Sequence, residues 1–135
     1  MIALDTNVLV RFLMADDQKQ TAQVHDLFLD AETKSECFLV LSVVLLELIW
    51  VLESAYAISR EKIIDALSAL SCMAIFKFEH ANAVRDMLEN AKRNRNDLSD
   101  LLIGHIAAAT GCAHVWSFDK KACRLPLFHS INPRP

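Results

Sequence analysis

Apolar and polar positions along the chain switch repeatedly between a short, strand-like period and a helical one. Ile2-Ala3-Leu4 and Val115-Trp116-Ser117-Phe118 are compact apolar runs, and each ends in an aspartate, Asp5 and Asp119. Cys37 to Leu41 and Ala74 to Phe78 complete the set of strand candidates. Between them the apolar residues recur at helical spacing. Thr6 is placed to cap a helix running through Leu13, and a second helix spans about Asp17 to Asp30 with Ala22, Val24, Leu27 and Phe28 as its apolar positions. Ser42 is placed to cap an apolar helix that contains Glu47, and Ser59 followed by Glu61 opens another with Ile63, Ile64, Leu67 and Leu70 on one face. Ala81 to Asn94 is amphipathic. The last helix has a clear start and stop: Asp97 as N-cap, Asp100 as the third helical residue and Gly111 at the C-terminal end. Strands alternating with helices through short, right-handed crossovers predict an α/β fold, a parallel sheet with helices on both sides.

A length of 135 residues, with two glycines, three prolines and no low-complexity linker, predicts one domain over residues 1–135. Apolar residues make up 53% and charged residues 23%, which excludes a disordered chain. The run from Phe38 to Leu52 falls short of the roughly 20 residues that span a bilayer and is interrupted by Ser42 and Glu47, so no membrane association is expected. Met1 leads straight into a strand with no basic-then-apolar leader, and the cysteines (Cys37, Cys72, Cys112, Cys123) form no C-x-x-C pair. They are expected to be reduced, mostly packed thiols of a cytoplasmic protein.

Candidate chemistry rests on carboxylates. Glu47 is the only charge between Phe38 and Leu52, and an ionised carboxylate in such company costs several kcal/mol unless it is paired, holds a cation or sits on a helix edge that meets water. Asp5 and Asp119 follow strands, and the carboxyl ends of strands are where α/β folds build sites, so the two are expected to come together. Asp97, Asp100 and Gly104 fall on one helical face, where a residue without a side chain leaves room for a ligand or a close strand. Asp97 and Asp100 also have an ordinary reading, as first-turn acids favoured by the helix dipole. No H-x-x-x-H or H-E-x-x-H pair supports a zinc hydrolase, and no glycine-rich loop supports a nucleotide cofactor.

The motifs Leu4-Asp5-Thr6-Asn7, Leu45-Leu46-Glu47-Leu48, Ser99-Asp100-Leu101-Leu102-Ile103-Gly104 and Ser117-Phe118-Asp119 together resemble the four acidic motifs of PIN-domain ribonucleases, and in order and separation most resemble the VapC-type toxins of type II toxin–antitoxin pairs. The resemblance implies a three-layer α/β/α sandwich around a central parallel sheet and a Mg2+- or Mn2+-dependent endoribonuclease. It also implies a cognate VapB-like antitoxin and a homodimer. Position by position, Asp5, Glu47, Asp100 and Asp119 match the acidic quartet that binds metal and carries catalysis. Thr6, Asn7 and Ser117 match the polar residues around it, and Asp97 is a candidate fifth ligand. Carboxylates of this kind hold cations about 4 Å apart in two-metal phosphodiester hydrolysis.

The formal charge of −3 argues against non-specific adhesion to nucleic acid, yet setting aside the four suspected carboxylates leaves about +1. An RNA partner therefore stays open. Arg11, Lys92, Arg93, Arg95, Lys120 and Lys121, with Arg124, flank the acids and are candidates to hold RNA phosphates, against the plain alternative of solvated surface charges. Trp50, Trp116 and Tyr56 are expected in the core or at a dimer contact. The competing functional reading is a non-catalytic PIN-like or receiver-like module that uses its acidic cleft to bind a partner.

Overall fold

A computed structural model describes residues 1–132 of the chain, which divide into two compact units, Met1–Glu79 and the residues from His80 onward. In the first unit three short parallel strands, β1 (Ile2–Ala3), β2 (Phe38–Val40) and β3 (Phe76–Phe78), pair in the order β1-β2-β3. Ile2 faces Phe38, and Phe38 faces Phe76. Backbone bonds from Leu4 to Leu39, from Phe38 to Ile75 and from Glu79 to Val40 extend the ladders beyond the formal strand ends. The helices are α1 (Thr6–Met14), α2 (Gln18–Thr33), α3 (Ser42–Ser54) and α4 (Arg60–Ser71).

Burial follows the helical period. Leu9, Leu48, Ile49, Ile63 and Leu67 have no exposed surface at all, and each stabilises the unit by about 1.5–3 kcal/mol relative to exposure. Phe12, Phe28, Phe38 and Phe76 join them through edge-on and tilted ring contacts with centroids 5.0–6.1 Å apart, the geometry that aromatic quadrupoles favour.

The second unit contains α5 (Ala81–Ala91), α6 (Leu98–Ala109), β4 (Val115–Ser117), a one-turn 3-10 helix (Ala122–Arg124) and β5 (Phe128–Ser130). The two helices pack on each other, and Val84, Met87, Leu88, Leu98, Leu101 and Leu102 are their buried apolar positions. Strands β4 and β5 are parallel, with Trp116 opposite His129 and Ser117 opposite Ser130. Gly111, at φ 92°, ends α6 in a backbone conformation that glycine adopts without the Cβ penalty.

Several local expectations change. Thr6 does not cap α1: Asp5 does, accepting the Thr6 N–H at 2.8 Å, while Thr6 is buried inside the helix. Ser42 does not cap α3, whose N-cap is Leu41. The Ser42 N–H instead donates to Glu79 Oε1 at 2.8 Å, so a carboxylate from the end of β3 serves the first turn. Helix α2 runs three residues past Asp30, and α5 stops three short of Asn94. Strand β5 was not expected, because Phe128-His129-Ser130 has no apolar alternation. Cys37, Cys72 and Cys112 are exposed rather than packed, although all four cysteines are free as expected. Trp50 and Trp116 are not core residues, with 62% and 61% of their surface exposed.

Candidate functional site

In the first unit the chain leaves β1 at Ala3 and enters α1 at Thr6, which places Asp5 in the connection with extended backbone (φ −79°, ψ 158°). Its carboxylate caps α1, where the helix dipole favours a negative charge, and it remains exposed. Helix α1 packs on α3, the helix that carries Glu47. Glu47 is exposed, so the desolvation cost inferred from its apolar neighbours in sequence does not arise: those neighbours point elsewhere around the helix. Val43 and Trp50, four residues before and three after Glu47, are 71% and 62% exposed. The helical face carrying the acid is therefore flanked by uncovered apolar side chains.

Arg11 is committed locally. Its guanidinium donates to Gln20 Oε1 at 2.6 Å, to Asp16 Oδ1 at 3.2 Å and to the Tyr56 hydroxyl at 3.4 Å. Tyr56 in turn donates to Asp16 Oδ2 at 2.7 Å. Hydrogen bonding to Tyr56, then the nearby acids, raises the Arg11 pKa. The Tyr56 hydroxyl and Arg11 lower that of Asp16. The network joins the start of α2 to the residues after α3, a structural duty for an arginine considered as an RNA contact. Sequence gave no sign of it, since Tyr56 lies 40 positions from Asp16.

The second unit brings Asp97 and Asp119 into electrostatic range of Asp100. Asp97 is the N-cap of α6 and accepts the Asp100 N–H at 3.1 Å. Asp119 lies two residues beyond β4. Its Oδ1 accepts the N–H groups of Lys121 and Ala122 at 2.8 and 3.4 Å, and its own N–H donates to Ser117 Oγ at 3.0 Å. Ser117 thus orients the turn that presents Asp119. Asp100, half-buried in the first turn of α6, has its carboxyl pKa raised by burial first and then by the charges of Asp97 and Asp119.

Asp5 and Asp97 therefore cap helices, and Asp119 accepts backbone N–H groups of the turn that follows it. Glu79 is an acid that sequence reasoning passed over. The signal was available, since β1, β3 and β4 are each followed within two residues by a carboxylate.

Charge is unevenly divided. Residues 1–79 carry six Lys and Arg against twelve Asp and Glu, while residues 80–135 carry eight against five. With Asp97, Asp100 and Asp119 set aside, eight bases face two acids, so the second unit is the one suited to a polyanion. Arg93, Arg95, Lys120 and Lys121 are exposed there, while Lys92 is paired with Glu89 at 3.0 Å.

The acids supply only carboxylate oxygens, the ligand type of hard divalent cations; burial and then the charges of Asp97 and Asp119 raise the Asp100 pKa, and a cation would relieve the charge repulsion. Among the described residues no group of three or more His, Cys, Asp or Glu side chains is gathered tightly enough to hold a metal ion, and no helix is long and apolar enough to cross a membrane.

Gly104, one turn after Asp100, lies against the ring of Phe128, so of the two uses open to a bare position here the structure shows the close strand. A pocket of about 180 Å³ adjoins them, lined by apolar side chains with His105 and Asn90, which are 3.0 Å apart through Nε2 and Nδ2.

Comparison with known proteins identifies a family for this chain. The PIN domain family matches residues 2–127, across both units. A VapC ribonuclease of Aquifex aeolicus (strain VF5) is 27% identical over 133 residues, covering 98% of this chain and 97% of that protein. With the family match covering nearly its whole length and an α/β architecture of parallel strands beneath it, this chain belongs to the PIN domain family.

Proposed function

We propose that the chain, read as one PIN-like domain over residues 1–135, is a metal-dependent endoribonuclease and the toxin of a VapBC-type toxin–antitoxin pair. The observation that carries this reading is the placing of Asp97 and Asp119 around the half-buried Asp100, whose pKa is raised by burial first and then by those two charges, within a chain of the PIN family. Similarity to a VapC ribonuclease along nearly the whole length supports the choice of RNA and of the toxin role.

Asp5, Glu47, Asp100 and Asp119 would hold Mg2+ or Mn2+, with Asp97 as a fifth candidate. A bound divalent cation supplies an activated water and charge for the leaving oxygen. The chain's own contribution is positional. Backbone N–H groups fix the carboxylates of Asp5 and Asp119, and Ser117 holds the Asp119 turn. Thr6 and Asn7 extend the first of these motifs into α1. Arg93, Arg95, Lys120 and Lys121 would neutralise RNA phosphates beside the acids, an electrostatic contact that weakens with salt. The exposed Val43–Glu47–Trp50 face of α3 supports a protein partner: either an antitoxin segment with a cation between apolar side chains, or a second copy in a homodimer.

Incubation of a structured RNA with the protein in Mg2+, Mn2+ or a chelator tests the reading. Internal cleavage that needs the cation and vanishes in Asp100→Asn and Asp5→Asn is expected. Because asparagine caps as well as aspartate, Asp5→Asn should still fold. Failure to cleave any RNA under all metal conditions would favour the binding-module reading.

A further inference from the structure

Beside the acids of the second unit lies an aromatic group that the proposed chemistry does not use. The His114 and His129 rings stack face to face, with centroids 4.5 Å apart and planes 8° from parallel. Trp116 stands edge-on to both, at 4.7 Å and 87° from His114 and at 6.1 Å and 80° from His129. Ladder register explains the arrangement, because Trp116 and His129 are direct partners across β4 and β5. An indole normally buries a large apolar area, yet this one is mostly in solvent.

We propose that Trp116, braced by the His114–His129 stack, is a stacking platform for an unpaired nucleobase of single-stranded RNA. The proposal rests on the RNA reading above and adds a subsite to it. Two imidazoles packed against the indole restrict its rotamers, so less freedom is lost when a base stacks on it.

Charge points the same way. Between Gly111 and Asn132 the sequence has Lys120, Lys121 and Arg124 but a single acid, Asp119. At about 3.3 Å per extended residue, Trp116 is no more than roughly 10 Å along the backbone from Asp119, within reach of a neighbouring nucleotide. The imidazoles are poorly placed for a metal instead. In parallel stacked rings the nitrogen lone pairs lie in two separate planes and do not converge on one ion.

The test is a titration of the full-length protein, in chelator to prevent cleavage, with a short unstructured oligoadenylate, reading intrinsic fluorescence and affinity. Saturable quenching is expected, and it should be lost in Trp116→Phe. Trp116→Ala should weaken binding about tenfold and raise KM for cleavage by a similar factor, with a smaller effect on kcat, while Trp116→Phe restores most of the affinity. An oligonucleotide with abasic positions should bind the wild type as weakly as the intact one binds Trp116→Ala, and duplex RNA should cause no quenching.

If the wild type cleaves RNA but Trp116→Ala binds and cleaves with unchanged parameters, the platform is wrong and the nuclease reading stands. If the wild type neither binds nor cleaves RNA, both fall. A change of oligomeric mass in Trp116→Ala, by light scattering, would make this surface a subunit contact and overturn the proposal.

Discussion

Asp97 holds Asp100 in two ways at once: its carboxylate accepts the Asp100 backbone N–H at 3.1 Å, and its charge opposes ionisation of the Asp100 side chain. The two effects can be separated by substitution. Serine caps nearly as well as aspartate, so Asp97→Ser should keep stability within about 0.5 kcal/mol, whereas Asp97→Ala should lose about 1 kcal/mol in urea unfolding. Asp97→Ser should also retain RNA cleavage, and Asp100→Ser should not. Equal loss of metal affinity in both serine variants would make Asp97 a ligand as well as a cap.

The raised Asp100 pKa gives a stability signature of defined sign. Burial, followed by the charges of Asp97 and Asp119, makes the ionised form unfavourable in the folded state. The contribution of this group to stability is therefore fully present below the unfolded carboxyl pKa and is lost as pH rises through the folded one. Asp100→Asn, which mimics the protonated form, should melt higher than wild type at pH 7 and equal to it at pH 3. Mn2+ should raise the wild-type melting temperature more than that of the variant, because only the wild type has repulsion for a cation to relieve. A wild type that is the more stable at pH 7 without metal would refute the electrostatic account.

The Arg11–Asp16–Tyr56 network has the opposite pH behaviour. Asp16 has a lowered pKa, caused first by the Tyr56 hydroxyl. Its contribution is therefore present above the unfolded carboxyl pKa and is lost as pH falls through the folded value. Tyr56→Phe should lower the melting temperature at pH 7 and converge on the wild type in acid. RNA cleavage at saturating substrate should change little, since Tyr56 faces Asp16 and Arg11. A large loss of cleavage in a stably folded Tyr56→Phe protein would return Arg11 to the RNA contacts.

Elements whose signals lie within a few residues were legible in the sequence. Asp97 as N-cap, Asp100 as the third helical residue, Gly111 beyond the helix end and Ser59 opening α4 all depend on neighbouring positions, and all are found. What failed depends on distant residues. Glu79 takes the Ser42 N–H across 37 positions, and Tyr56 occupies Asp16 across 40. Local pattern carries no trace of such partners, because side-chain bonds between elements are set by packing.

For Glu47 the helix edge that meets water, one of the readings open in the sequence, is what the structure shows. A helix apolar nearly all round in sequence suggests burial all round, yet the face carrying Val43, Glu47 and Trp50 meets solvent. The acidic motifs were visible one by one. Whether Asp5 and Glu47 act together with Asp100 and Asp119 depends on tertiary geometry that periodicity does not encode.

Gly104 offers a test of how tightly α6, and with it Asp100, is held. A Cβ at this position would sit 3.1 Å from Cε2 of Phe128, closer than an ordinary van der Waals contact, and Phe128 is buried. Against that crowding, alanine is favoured over glycine inside a helix by about 1 kcal/mol. The pocket of about 180 Å³ beside the ring gives Phe128 space to shift by a few tenths of an ångström. Gly104→Ala should therefore be close to neutral in urea unfolding. Gly104→Val adds two further methyl groups and should cost about 1–3 kcal/mol, the usual range for an overfilled core. If the Phe128 ring is the obstacle, adding Phe128→Leu to Gly104→Val should cost less than the same change in the wild type, giving a favourable coupling in the double-mutant cycle. Because Asp100 lies one turn before Gly104 on the same helix, Gly104→Val should also reduce RNA cleavage, and Phe128→Leu should recover part of it. Strict additivity of the two substitutions would show that the strain lies in the backbone of α6 and not in the contact with the ring.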